Sequence, residues 1–153
     1  MSNLYVSDDL SPVVDFDLDP ICCVMEGAIY SVRMLIAGSD QPCDFIPCPV
    51  AVDTCASVSL IREADLPPGV MVAKLEHVPR IRDAQNSLLK ILGSCVLHVS
   101  VGDVTTTHDF LVVPSLPVPA LVGVNFISKH VTAILPPQRL MVFGNTTVTM
   151  LDS

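Results

Sequence analysis

The chain has 153 residues, of which 50% are hydrophobic, and its formal net charge at pH 7 is −8. This length and apolar content are sufficient for the core of one domain, and the negative charge gives little electrostatic support to binding a phosphate backbone, so we expect no nucleic-acid partner. Val, Leu and Ile dominate the apolar residues, and Gly and Pro recur at short intervals. This pattern is typical of short strands joined by turns, so we predict an all-β fold.

The chain begins with an acidic stretch, which contains Asp8, Asp9, Asp15, Asp17 and Asp19. Few large apolar residues accompany these acids. We therefore predict that residues 1–20 form a solvated, partly disordered arm, with a docking or regulatory role as the alternative. The folded domain is predicted to occupy residues 21–153.

The start of the chain and its most apolar stretch bear on compartment and membrane association. No basic region followed by an apolar run opens the sequence, and the most apolar stretch, residues 110–127, is interrupted by three prolines. These features predict a cytoplasmic protein with no membrane partner. The six cysteines are therefore expected to be reduced thiols rather than a disulfide framework.

In the first half of the chain, residues 21–25 and 28–36 are predicted to pair as a hairpin around Glu26-Gly27. Residues 38–49 are rich in Pro and are predicted to be a loop. Two short apolar runs follow, residues 50–52 and 58–61, which we predict to be buried strands. One short helical turn is expected within residues 62–69, ended by Pro67-Pro68.

In the second half, residues 70–90 mix charged and apolar positions and give no definite element. The strict alternation in residues 97–101, followed by Gly102-Asp103 and residues 104–113, predicts a hairpin with a two-residue turn. The remaining predictions are a strand at 120–123, a short helix at 124–130, and strands at 131–135, 140–143 and 145–151.

The two halves repeat one order of elements, which is a hairpin, an apolar strand, a tight turn and a short helical piece. The tight turns fall at residues 53–57 and 123–125. Only the first turn carries an acid, so one chain supplies one candidate catalytic carboxylate.

That acid opens the run Asp53-Thr54-Cys55-Ala56-Ser57, which lies between the two apolar runs. Aspartate is rarely buried in a β core unless something pairs with it or hydrogen-bonds to it. The placement therefore predicts a functional carboxylate. The alternative is a structural Asp that forms an Asx turn or caps a short helix.

With Cys55 in place of Gly, this run resembles the Asp-Thr-Gly-Ala-Ser signature of the retropepsins, the aspartic proteases of retroviruses and long-terminal-repeat retrotransposons. Ile91-Leu92-Gly93, and Leu121-Val122-Gly123 leading into a short helix, match further features of the family in the expected order. The resemblance covers roughly residues 28–143. It implies a closed, barrel-like acid-protease fold with one short helix, working as a homodimer.

The resemblance also implies roles for individual residues. Asp53 corresponds to the catalytic acid, and Thr54 to the residue that locks the two active-site turns together across the dimer, with Cys55 and Ala56 completing the turn. Residues 70–92 correspond to a mobile flap over the substrate. The residues expected to contact an extended polypeptide substrate are Ser57, Gln85, Asn86, Ser87 and Leu88. No cofactor or metal is implied.

Peptide hydrolysis by carboxylates requires two of them sharing one proton. Because each chain has one suitable turn, Asp53 of two subunits must meet on a two-fold axis. The expected activity is an aspartic endopeptidase that processes the polyprotein of a retroelement, or a host protein if the gene is domesticated.

The departure from the family motif leaves alternatives. Gly at a tight turn often serves backbone angles that a Cβ would crowd, so Cys55 suggests a weak or inactive peptide-binding module as a second hypothesis. A third hypothesis makes Cys55 a nucleophile, which would need a histidine as its base. The chain has four, at positions 77, 98, 108 and 130; their spacing favours none of them, and we expect all four on the surface. Cys43 and Cys48 lack paired Cys-x-x-Cys spacing, so no zinc site is expected.

Overall fold

The structure is a computed structural model that describes residues 30–39, 43–83 and 85–152. The acidic arm and the predicted strand at residues 21–25 lie outside this part of the chain. The strands are β1 (Tyr30–Gly38), β2 (Ile46–Val52), β3 (Leu60–Arg62), β4 (Gly93–Val101), β5 (Val104–Val113), β6 (Ala120–Val122), β7 (Val131–Leu135), β8 (Leu140–Phe143) and β9 (Thr146–Thr149), and the helix α1 spans Val124–His130. No helix in the described ranges is long and apolar enough to cross a membrane.

Six strands close into a barrel in the order β1-β2-β6-β3-β5-β4, and β7, β8 and β9 form a separate antiparallel sheet. Strand β1 pairs antiparallel with β2 and β4, whereas β2 with β6 and β3 with β5 are parallel pairs. The predicted all-β closed barrel with one short helix is therefore confirmed. Closure leaves none of the six strands with a fully free edge.

The β4–β5 hairpin follows directly from the sequence alternation. Leu97, Val99 and Val101 are buried and alternate with polar or more accessible positions, and Val101 pairs with Val104 across the turn. Gly102 has a φ of +60°, a left-handed conformation that glycine adopts without steric cost. The predicted hairpin is confirmed, as are β6, α1, β7, β8 and a 3₁₀ turn at Glu63–Asp65.

The predicted loop at residues 38–49 is wrong at its end, because β2 already begins at Ile46 and contains Pro47 and Pro49. Residues 46–49 pair with β1 but lie outside the β2–β6 register, which covers only Val50–Val52. Proline is tolerated where a strand has a neighbour on one side only, since its missing N–H costs no ladder hydrogen bond there. Strand β1 thus forms its hairpin with β2.

Two groups of buried side chains fill the molecule. The larger lines the barrel and continues under the three-stranded sheet, with Phe110, Phe126 and Phe143 among its bulkiest members. The smaller contains Ala51, Ala56, Leu60, Ile81, Val113, Leu116 and Leu121. This second cluster matters for function because it joins the turn after β2, through Ala56, to Ile81 of the predicted flap.

The parallel pairing of β2 with β6 brings the two related turns together. At Gly123, which follows β6, an added Cβ would lie 2.5 Å from the Val58 carbonyl oxygen and 2.6 Å from that of Ala56. No side chain fits at such distances, so glycine is required for this close approach. The internal symmetry inferred from sequence therefore corresponds to two turns in direct backbone contact.

Candidate active site

Asp53 is the first residue after β2, and its turn is fixed to the turn after β6 by backbone hydrogen bonds. The Asp53 N–H donates to the Val122 carbonyl at 3.0 Å, and the Val124 N–H donates to the Ala56 carbonyl at 2.8 Å. Within the turn, the Ala56 N–H donates to the Asp53 carbonyl at 3.1 Å. The acid is thus held by both strands of the parallel pair.

The Asp53 side chain is buried, with 4% of its surface exposed. Its Oδ1 accepts a hydrogen bond from the Cys55 N–H at 2.9 Å, whereas Oδ2 is buried without a partner in the described structure. Burial raises the pKa of this carboxyl above its ordinary value, and the backbone N–H groups of Cys55 and Ala56 partly oppose the shift. One oxygen is therefore held in place by the turn, while the other is buried without a hydrogen-bond partner in the described structure.

Cys55 does not adopt a backbone conformation that requires glycine. Among the described non-glycine residues, positive φ occurs only at Asn86 and Arg139, so Cys55 does not need the conformational freedom of glycine. Its N–H provides the hydrogen bond to Asp53. The side chains of Thr54 and Cys55 are exposed, Ser57 is half-buried, and Ala56 is fully buried in its own chain.

A buried polar network behind the turn was missed from sequence. Ser59 Oγ donates to Asn125 Oδ1 at 2.9 Å, lies 3.0 Å from His108 Nε2, and accepts from the Gly123 N–H at 3.2 Å. Because the single hydroxyl proton goes to Asn125, Oγ accepts from His108 as the Nε2–H tautomer. A serine inside the apolar run Val58–Ile61 was the signal available in the sequence.

His108 was predicted to lie on the surface, and this is wrong. It is buried on β5 and packs edge-on against Phe110 and Phe126, at ring-centroid distances of 5.4 and 5.1 Å. Burial lowers the pKa of its imidazole, which favours the neutral ring that the Ser59 hydrogen bond uses. His108 therefore supports the structure, and no hydrogen bond joins Cys55 to a histidine in the described ranges.

The predicted flap, in which the residue pattern predicted no definite element, contains a short hairpin between residues 81 and 89. Leu89 N–H donates to the Ile81 carbonyl at 2.8 Å, and Asp83 N–H donates to the Ser87 carbonyl at 2.9 Å. The Asp83 carboxylate accepts from the N–H groups of Gln85 and Ser87. The substrate residues predicted here, Gln85, Asn86, Ser87 and Leu88, are all exposed at its tip.

The structure therefore places the predicted site residues in two groups. Residues 53–57 share one turn, and residues 85–88 share the tip of the flap hairpin. The base of that hairpin is anchored beside the turn, because Ile81 is buried in the same cluster as Ala56, with Leu89 packed against it.

The described residues contain no group of three or more His, Cys, Asp or Glu side chains arranged to hold a metal ion. Cys48 is buried in β2, where burial raises the pKa of its thiol to about 11, and Cys43 is exposed. A neutral buried thiol is a poor metal ligand.

The architecture matches a solved structure. The retroviral protease-like domain of Ddi1 from Leishmania major aligns with a TM-score of 0.59 and 16% identity, covering 82% of this chain and 98% of that one. No protein-family model matches the chain, and no curated protein matches it in sequence. Similarity at this identity establishes the fold alone: the chain has a retropepsin-like fold.

Replacing Ser59 by Ala tests the network behind the turn. The change removes one hydroxyl and leaves His108, Asn125 and the Gly123 N–H without their shared partner. We expect the free energy of unfolding to fall by about 1–3 kcal/mol, the usual cost of buried unsatisfied polar groups. Urea denaturation measures this. The control is Ser100→Ala, whose hydroxyl contacts Thr105 on an exposed surface, and which should change stability much less.

Replacing Asp53 by Asn tests the cost of the buried carboxylate. Because the folded state raises the pKa of Asp53, its contribution to stability is present below about pH 3.8 and is lost as pH rises through the folded pKa. In Asp53→Asn, the amide oxygen can still accept the hydrogen bond from the Cys55 N–H, and the side chain carries no charge. We expect Asp53→Asn to be more stable than the wild type at pH 7, with the difference shrinking at pH 3 in urea denaturation.

Asp44 is exposed and provides the control for that experiment, since Asp44→Asn makes the same change of charge. It should leave the stability difference near zero at both pH values. Equal stability of the wild type and Asp53→Asn at pH 7 would contradict the burial argument.

Proposed function

We propose that the protein is an aspartic endopeptidase whose active site forms when Asp53 of two identical chains meet. The observation that carries this proposal is the state of the Asp53 carboxylate in a single chain. Oδ1 is held by the Cys55 N–H, and Oδ2 is buried with no partner among the described residues. A second carboxyl sharing a proton with Oδ2 would satisfy it, and two carboxyls sharing a proton are what peptide hydrolysis needs.

In this mechanism the two Asp53 side chains titrate as one unit. The ionised carboxylate accepts a proton from a water molecule, which attacks the scissile carbonyl carbon, while the protonated carboxyl donates to the carbonyl oxygen. The carboxyl that took the proton from water then gives it to the amine nitrogen as the C–N bond breaks. The other carboxylate takes back a proton from a hydroxyl of the tetrahedral intermediate, which releases the two products and restores the pair. The raised pKa of Asp53 favours the presence of one protonated member of the pair.

The exposure of the turn residues supports an interface at this place. Thr54 and Cys55 are exposed in the single chain although they flank a buried acid. In a symmetric dimer the same patch faces itself, so each Thr54 hydroxyl can reach the opposite turn. Ala56 has a different role, since it is buried within its own chain and supports the turn from below.

The proposed substrate is an extended polypeptide that adds as a strand between the turn and the flap, with apolar side chains on either side of the scissile bond. Ser57 contributes from the turn, and Gln85, Asn86, Ser87 and Leu88 contribute from the flap. Processing of a retroelement polyprotein, or of a host protein by a domesticated copy, is the proposed biological role.

Replacing Asp53 by Asn should abolish cleavage and leave dimerisation intact. Asn cannot accept a proton from water, and acid–base catalysis by such groups contributes roughly 10²–10⁴-fold to rate. We expect kcat/KM on an apolar peptide library to fall at least about 10³-fold. Light scattering measures the mass in parallel. Retention of activity by Asp53→Asn, or a wild type that stays monomeric while cleaving, would refute the dyad.

Replacing Cys55 by Gly distinguishes the protease from an inactive peptide-binding module. Because Cys55 already makes its hydrogen bond without unfavourable φ, we expect Cys55→Gly and the control Cys55→Ser to change kcat/KM by less than about tenfold. A wild type that binds peptide but is inert from pH 3 to 7, together with an active Cys55→Gly variant, would favour the module instead.

A further inference from the structure

We propose that residues 14–19 of this chain bind as an extended strand to the predicted flap, residues 70–92, and so compete with peptide for the candidate site. The binding itself is independent of catalysis. Only the competition rests on the proposed function.

The flap presents an apolar surface to solvent. Met71 is 69% exposed, Val72 44%, Val78 55% and Leu88 56%. Single exposed apolar side chains are ordinary, but four of them between residues 71 and 88 make this segment a candidate interaction surface.

The same segment is cationic in a chain that is acidic overall. It contains half of the eight Lys and Arg residues, namely Lys74, Arg80, Arg82 and Lys90, against two acids, Glu76 and Asp83. Lys74, Arg80 and Lys90 are exposed. The occupant that fits this surface therefore combines apolar and acidic side chains.

The flap also offers backbone groups for strand pairing. Isolated bridges join Ala73 to Ser94 and Arg82 to Leu88. Between them, residues 74–79 make no backbone hydrogen bond to the described part of the chain. These residues lie outside any strand and bend at Glu76 and His77. Exposed backbone groups without partners are what strand addition uses, so this segment can accept an added strand on either side of the bend.

The sequence preceding the barrel has the complementary pattern. Residues 1–29 carry six acids and no Lys or Arg, and residues 14–19 read Val-Asp-Phe-Asp-Leu-Asp. In an extended strand, alternate side chains point to opposite faces. Val14, Phe16 and Leu18 would then share one face and the three aspartates the other, so the segment offers both the apolar and the acidic side chains that complement the flap.

The chain geometry allows this contact. Strand β1 begins at Tyr30, which pairs with Val52, the residue before Asp53, so the preceding segment joins the barrel beside the candidate site. The link from Asp19 to Tyr30 can span about 36 Å when extended, compared with a radius of gyration of about 14 Å for a domain of this size. Residues 14–19 can thus reach the flap of their own chain or of a second subunit.

Hydrogen–deuterium exchange on the full chain tests the binding, with Asp53→Asn present throughout so that self-cleavage does not interfere. The test variant carries Asp15→Asn, Asp17→Asn and Asp19→Asn. The matched control removes three charges from outside residues 14–19 but within residues 1–29, by Asp8→Asn, Asp9→Asn and Glu26→Gln. At low salt, we expect the exchange rate in residues 72–80 to be about tenfold higher in the test variant than in its Asp53→Asn parent, and unchanged in the control. Adding 0.5 M NaCl to the parent should raise its exchange rate by a similar factor, because salt screens the charge pairs.

Charge reversal provides a second arm. Lys74→Glu with Lys90→Glu should also raise exchange in the flap, and adding Asp15→Lys and Asp17→Lys should restore protection. Equal exchange in the test variant and its parent at low salt, or failure of the reversed pair to restore protection, would overturn the proposal.

With Asp53 intact, the test variant should lower KM for a peptide substrate about tenfold without changing kcat, because a competitor has been weakened. Protection that depends on Asp15, Asp17 and Asp19 in a protein that cleaves nothing would support the binding and reject the proposed function. If the test variant cleaves peptide with an unchanged KM and an unchanged exchange rate in the flap, the proposed function is supported and the binding of residues 14–19 is rejected.

Discussion

The hydrogen bond from the Asp53 N–H to the Val122 carbonyl extends the parallel pairing of β2 and β6 by one residue beyond the strands. Through it, and through the Val124 N–H bond to Ala56, the turn with the acid is built on the turn that begins α1. Gly123 permits this approach because no side chain fits between the two backbones. The position of the carboxylate therefore depends on backbone geometry from both halves of the chain, and the barrel maintains that geometry.

The cost of this arrangement is a buried carboxylate with one unsatisfied oxygen. Proteins rarely leave such a group in a folded core without a role for it, because desolvation of an unpaired polar atom destabilises the fold. Here the turn provides one hydrogen bond, from Cys55, and exposes Thr54 beside it. The proposed second subunit accounts for the free oxygen and for the exposed side chains together. On the other side, Ser59 hydrogen-bonds to His108, Asn125 and the Gly123 N–H, and so supports the turn that packs against the one with the acid.

The sequence was sufficient where local pattern decides structure. Alternation and Gly102-Asp103 predicted the β4–β5 hairpin, and the apolar run ending in Gly predicted β6 and the helix that follows. The early start of β2 was missed, because prolines argue against a strand unless one knows which edge is unpaired. The burial of His108 was missed for a related reason, since its partners Ser59 and Asn125 lie far apart in sequence. Contacts between distant segments, rather than propensity, decide both cases.

Only one of the two related turns in each chain carries an acid. Under the proposed function, this matters wherever intact copies of the gene are expressed together with copies that have lost Asp53. The protein made from a copy without Asp53 keeps the backbone of the proposed interface, so it would still associate with an intact chain. The resulting heterodimer would contain a single active-site carboxyl and would be catalytically inactive. Copies with an inactivating mutation would therefore act as dominant inhibitors of the active protease. In a family of such elements, polyprotein processing would decline as more copies acquire these mutations.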